Sequence, residues 1–178
     1  GNDFLRANSP GSFISPFIGS LLLGGEGNDT LIGSRDNFDQ LLGGAGDDLY
    51  QVNNSLAFVS EASGAGYDRV VTSVDIELSG FTIGPDAGEI ERISVSGTVG
   101  LNVTGTASNN VIVGNAGADT LSGAAGNDRL FGLLGADVLS GGTGQDFLRG
   151  GSGEDTFVFA SGFGNDTVSD FVAGTDVI

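Results

Sequence analysis

The chain has 178 residues, 33 of them Gly, and sets 23 acidic side chains against 6 basic ones for a net charge of −17. That balance argues against nucleic acid and anionic membrane as direct partners and favours bound cations, while the absence of Cys and His removes disulfide, thiol and triad chemistry. With 3 Pro and no G-X-Y period the chain is not collagen, and with no long apolar span direct membrane insertion is not expected.

Residues 1–23 read as an irregular N-terminal segment. GNDFLR (1–6) fits positions four to nine of a nine-residue unit with Asp3 in its acidic phase. The period then breaks at two Pro with Phe13, Phe17 and Ile18, which reads as a cap over an open end. Residues 24–51 form a short repeat block in which GGEGNDTLI (24–32) and GGAGDDLYQ (43–51) flank a ten-residue stretch. Within that stretch Asp39 and Leu41 align with positions six and eight, implying a one-residue bulge near 35–37. Across 52–104 the nonapeptides fade, but apolar and polar residues alternate over 70–78 and 93–96, predicting strands. SGAGYDRVV (63–71) returns to frame with Asp68 at position six, so the coil is expected to continue here with longer rungs.

Residues 105–158 divide into six consecutive nonapeptides with none left over: GTASNNVIV, GNAGADTLS, GAAGNDRLF, GLLGADVLS, GGTGQDFLR and GGSGEDTFV. Position one is always Gly, position four is Gly in five of six, and position six is Asp in five of six, Asn110 being the exception. Position eight is always apolar, as Ile112, Leu121, Leu130, Leu139, Leu148 and Phe157. Residues 159–178 form a C-terminal cap of degenerate repeats with Asp166 and Asp176 in the same phase. In all, twelve of the seventeen Asp share that phase, which turn-forming preference alone does not explain.

A period of nine fits neither a helix nor a long alternating strand; it fits a Gly-rich turn followed by a very short strand with only position eight pointing inward. Two units make one coil of eighteen residues, so each turn stacks on the turn two units away. Strand spacing of about 4.8 Å then lines up the position-six carboxylates. Asp128 and Asp146 fall on one edge, Asp119, Asp137 and Asp155 on the other, and Asp29 and Asp48 share an edge in the first block. Carboxylates about 5 Å apart repel by roughly 0.8 kcal/mol in water and by more in a less polar setting, so such columns need a counter-ion. Calcium suits them: it takes six to eight oxygens and accepts the backbone carbonyls that Gly turns aim inward, whereas zinc prefers donors this chain lacks. The expected ligands for several Ca2+ ions are Asp29, Asp39, Asp48, Asp68, Asn110, Asp119, Asp128, Asp137, Asp146, Asp155, Asp166 and Asp176. Carbonyls around Gly24, Gly27, Gly43, Gly46, Gly114, Gly117, Gly123, Gly126, Gly132, Gly135, Gly141, Gly144, Gly150 and Gly153 are expected to complete the sites.

The units at 24–32, 43–51, 141–149 and 150–158 resemble in full the GGxGxDxUx signature of the repeats-in-toxin (RTX, hemolysin-type) family. The resemblance implies an all-β fold, a parallel β-roll (β-solenoid) with a less regular β insert. It also implies a calcium-binding module of a larger secreted or cell-surface bacterial protein, exported by type I secretion and folding once outside. The chain begins without Met and reads as a piece of such a protein. Two readings of that parent stay open: a secreted enzyme or toxin with its active domain elsewhere, or a surface-layer or adhesive protein.

Outward positions seven and nine describe the surface. The sheet of the units starting at 105, 123 and 141 presents Val111, Val113, Arg129, Phe131, Phe147 and Arg149, and each guanidinium is expected to lie on a ring of the neighbouring strand. The Phe131 and Phe147 face is a candidate dock for another domain or a neighbouring copy. Ice binding would need an unbroken Thr ladder, but Thr30, Thr120, Thr156 and Thr167 are interrupted by Arg, Val and Phe. The acid pairs Asp75 with Glu77 and Glu89 with Glu91 read as solvated strand faces rather than as a glycosidase couple, so no catalysis is expected of the chain itself.

Overall fold

The computed structural model describes residues 1–7, 19–35, 38–61, 66–78 and 90–178. The expected end plug of Phe13, Phe17 and Ile18, the bulge residues 36 and 37, and Glu89 lie outside them. The chain forms two compact units, Gly1–Val74 with Gly80–Ile90, and Asp75–Ser79 with Glu91–Ile178. Among the described residues there is no helix, and every strand pairing is parallel. Each unit is a parallel β-solenoid.

In the first unit β1 (Phe4–Arg6), β3 (Thr30–Ile32), β5 (Leu49–Val52) and β7 (Arg69–Thr72) pair in that order. A second sheet stacks β2 (Leu21–Glu26), β4 (Gln40–Ala45) and β6 (Phe58–Ser60). In the second unit one sheet runs β9 (Arg92–Val95), β11 (Val111–Val113), β13 (Arg129–Leu134), β15 (Phe147–Ser152) and β17 (Thr167–Val168). The other runs β8 (Ile76–Glu77), β10 (Asn102–Thr104), β12 (Thr120–Ser122), β14 (Val138–Ser140) and β16 (Thr156–Phe157). Odd strands pair with odd and even with even because each nonapeptide is half a coil.

The register is the one the period of eighteen requires: Ile112 stands on Leu130 and Leu130 on Leu148, while Val103, Leu121, Leu139 and Phe157 form the facing column. All of these are fully buried, as are Leu31, Leu41, Tyr50 and Val70 in the first unit. Burying an aliphatic side chain contributes about 1.5–3 kcal/mol, so one inward residue per half-coil is what holds each rung, and neighbouring rungs stabilise one another. Many of the turns between strands take a left-handed backbone at positions two and four. Gly142 (φ 101°) and Gly144 (φ 144°) supply it without steric cost. At position two Ala124 (φ 78°) and Leu133 (φ 83°) adopt the same conformation with a Cβ, at a cost of about 1–2 kcal/mol each.

Position five adds a polar ladder along the outside of the turns. Asn127 N–H donates to Asn109 Oδ1 at 2.6 Å and Gln145 N–H to Asn127 Oδ1 at 2.8 Å; in the first unit Asp47 N–H donates to Asn28 Oδ1 at 3.1 Å. This row therefore bonds each turn to the turn before it.

Candidate metal centre: the carboxylate columns

Position six makes a second ladder, running the other way. In the second unit Oδ1 of Asp128 accepts from Asn110 N–H at 2.7 Å, Oδ1 of Asp146 from Asp128 N–H at 2.8 Å, and Oδ1 of Asp166 from Asp146 N–H at 3.0 Å. On the opposite edge Asp119 accepts from Leu101 at 2.8 Å, Asp137 from Asp119 at 2.8 Å, Asp155 from Asp137 at 2.9 Å and Asp176 from Asp155 at 3.2 Å. The first unit repeats this, with Asp29 accepting from Asp3 at 2.5 Å, Asp48 from Asp29 at 2.7 Å and Asp68 from Asp48 at 2.8 Å. Asp39 stands apart, accepting from Ser20 N–H at 2.8 Å. The columns expected from the period are thus hydrogen-bonded chains, and each link uses one carboxylate oxygen.

The fate of the other oxygen divides the turns into two kinds. Position two has a left-handed backbone at Gly25, Gly44, Ala124, Leu133, Gly142, Gly151 and Gly162, and in all of these turns but that of Gly151 the position-six Oδ2, on Asp29, Asp48, Asp128, Asp137, Asp146 and Asp166, is buried with no hydrogen-bond donor. Where position two is Ser34 or Asn115, its backbone N–H turns inward and fills Oδ2 of the same unit, for Asp39 at 2.6 Å and for Asp119 at 2.8 Å. Thr106 N–H does the same to the Asn110 side-chain oxygen at 2.7 Å, and Val172 N–H to Asp176 Oδ2 at 2.8 Å. Six predicted ligands therefore present an open oxygen, and four, Asp39, Asn110, Asp119 and Asp176, spend theirs on their own turn.

Position-one Gly opens the space in front of these oxygens. A Cβ on Gly132 would strike Asp137 Oδ2 and come within 2.5 Å of the Gly150 carbonyl; on Gly123 it would strike Asp128 Oδ2 and the Gly141 carbonyl, and on Gly24 it would strike Asp29 Oδ2 and come within 2.6 Å of the Gly43 carbonyl. A carboxylate oxygen and a peptide carbonyl of the next rung thus converge where any side chain would stand. At Gly150 the same atom is Asp155 Oδ2.

The electrostatics match this geometry. Burial pushes the Asp128 carboxyl up to about 7; the ladder amide of Asn110 draws it down, and the charge of Asp146 raises it again. Burial likewise pushes Asp137 up to about 6, opposed by the Asp119 amide and reinforced by the charges of Asp155 and Asp119. Asp48, Asp146 and Asp155 are also raised, burial first among the causes. A raised acid is one whose negative charge the protein leaves uncompensated, and a cation at the same oxygens reverses that. The donors are carboxylate and carbonyl oxygens alone, in a chain without His or Cys, so the set fits a hard oxygen-seeking ion such as Ca2+ and not zinc.

Several residues escaped the repeat pattern. Tyr50, fully buried at position eight, accepts from Gly43 N–H through its hydroxyl at 2.7 Å and donates to Glu61, whose other oxygen accepts from Gly44 N–H at 3.1 Å. Asp170 takes the corresponding amides of Gly150 and Gly151 at 3.1 and 2.9 Å. No spacing signals either acid, because each lies outside the nonapeptide phase. Asp75, named as half of an acid pair, accepts from Asn102 through its backbone N–H at 2.8 Å and its side-chain amide at 3.2 Å.

On the outer face the cation–π expectation holds for one Arg and fails for the other. The Arg129 guanidinium lies 4.9 Å from the centre of the Phe147 ring and 5.8 Å from that of Phe131. Arg149 turns to Asp170, 3.5 Å away, because the last turn offers it a carboxylate.

Stacked parallel rungs with inward carboxylates at their turns define a cation-binding repeat module. The RTX calcium-binding nonapeptide repeat (4 copies) matches residues 21–50, 104–139 and 131–168, more than half of the chain. The chain belongs to that family, and is a calcium-binding β-roll module. No curated protein matches it.

Proposed function

We propose that this module folds on binding calcium outside the cell, as part of a larger secreted or cell-surface bacterial protein. The observation that carries this is the set of buried, donorless Oδ2 atoms on Asp29, Asp48, Asp128, Asp137, Asp146 and Asp166. These six, with Asp155 and Asp68 beside them in the columns and the carbonyls of position-one Gly, are the residues that would hold the ions. Asp39, Asn110, Asp119 and Asp176 hold their turns instead.

The logic is linkage. At cytosolic calcium the columns repel and the many Gly hold a large chain entropy, which together favour an unfolded chain that can be threaded through a secretion channel. Extracellular modules bind calcium at about 10⁻⁴ to 10⁻³ M, and an ion that binds only the folded form shifts the equilibrium toward it. Because each rung packs on its neighbours, filling is cooperative along the solenoid. Another domain or a neighbouring copy docking on the Phe131 and Phe147 face would have to displace or pack over Arg129, which lies on those rings.

Calcium titration followed by far-ultraviolet circular dichroism tests the reading. The expected result is a β signal that rises steeply with calcium and is lost on adding a chelator. An equally strong signal in excess chelator would refute calcium-coupled folding.

A further inference from the structure

Glu61 falls outside the residues that the family matches, and outside the acidic phase of the repeats. The pairing of β4 with β6 sets Leu42 against Ser60, so Glu61 follows in the register that a position-one Gly occupies elsewhere. In the regular turns a Gly carbonyl of the next rung lines the space before the open carboxylate, as Gly43 does for Asp29 and Gly150 for Asp137. At Gly43 the three nearest atoms to that space are different: Asp48 Oδ2, the Tyr50 hydroxyl and Glu61 Oε1 all abut the point where a Cβ would stand.

Asp48, Glu61 and Asp68 each bring a carboxylate oxygen to this place, all within 4.8 Å of one another. Independently, Asp48 is only 1 % exposed, and its Oδ2 is buried without a donor. We propose that Asp48, Glu61 and Asp68 form a calcium site of mixed origin, in which the Glu61 carboxylate replaces the glycine carbonyl of the regular turns. This rests on the reading above that open position-six carboxylates take calcium. Three carboxylates on one ion raise affinity over sites built with more neutral carbonyls, so this site fills before the others in the first unit. Tyr50 is set against the same oxygens and acts as a built-in reporter.

The test uses terbium, a trivalent oxygen-seeking substitute for calcium, excited through tyrosine. The chain has 2 Tyr and no Trp, so the full chain carrying Y67F leaves Tyr50 as the sole strong antenna. Terbium emission is expected at low occupancy, displaced by calcium, with at least tenfold weaker apparent affinity in E61Q, while the calcium-induced dichroism of the second unit is kept. Identical emission titrations with and without E61Q would overturn the proposal and leave Glu61 a cap on Tyr50 and Gly44. Should E61Q fail to fold, terbium anomalous scattering from crystals of the unmodified chain decides: a peak among Asp48, Glu61 and Asp68 is expected, and peaks along the second unit with none here would refute it. Failure of the underlying reading looks different, with no calcium-dependent dichroism and no terbium peak in either unit.

Discussion

Replacing Asp137 and Asp119 separately by Asn distinguishes an ion ligand from a turn clamp in the same column. Asp137 receives one amide, on Oδ1 from Asp119, and its Oδ2 has none. In D137N the side-chain oxygen keeps the ladder bond while the NH2 group takes the donorless position, and a buried charge between Asp119 and Asp155 disappears. Calcium-free D137N is therefore as stable as the parent or more so at pH 8. In calcium at about a hundred times the dissociation constant it forfeits about 2.7 kcal/mol, the linkage contribution of one ion. Asp119 receives amides on both oxygens, from Leu101 and Asn115, each at 2.8 Å. In D119N the NH2 group must face one of those donors, at a cost of about 1–3 kcal/mol with and without calcium alike. Urea unfolding in chelator and in saturating calcium separates the two. Equal calcium dependence in both variants would refute the division of turns into open and closed kinds.

Two further outcomes follow from the same geometry. In calcium-free protein Asp128 and Asp137 have folded-state values of about 7 and about 6, above the ordinary value of 3.8, so the folded state binds more protons than the unfolded one across that window. Their contribution is complete below about pH 4 and is lost as pH rises to about 7; urea midpoints in chelator should fall from pH 5 to pH 8, and a rise would contradict the burial argument. G132A sets a methyl against Asp137 Oδ2 and the Gly150 carbonyl, so calorimetry should count fewer bound ions, while an unchanged count would remove the glycine cradle from the account.

Much of this was legible in the sequence because the period is itself structural. A repeat of nine with one aliphatic at position eight dictates eighteen-residue coils, and Ile112, Leu130 and Leu148 stack as that arithmetic requires. Column membership of the Asp followed from the same count. The backbone at position two did not, because Ala124 and Leu133 adopt a left-handed conformation that their residue types disfavour, while Asn115 does not. That angle separates the turns in which an Asp closes on its own position-two amide, as Asp39 and Asp119 do, from those in which that amide points away. Glu61 and Asp170 were invisible for another reason: they act from beyond the repeat frame, placed by strand register. Arg149 likewise follows Asp170 and not the ring on its neighbouring strand.

A crystal structure grown with calcium, with anomalous scattering to locate the metal, tests the central claim most directly. Ions are expected against the Oδ2 atoms of Asp29, Asp48, Asp128, Asp137, Asp146 and Asp166 and absent from Asp39 and Asp119. Density at Asp39 and Asp119 with none at the open carboxylates, or no metal along either column, would contradict the account.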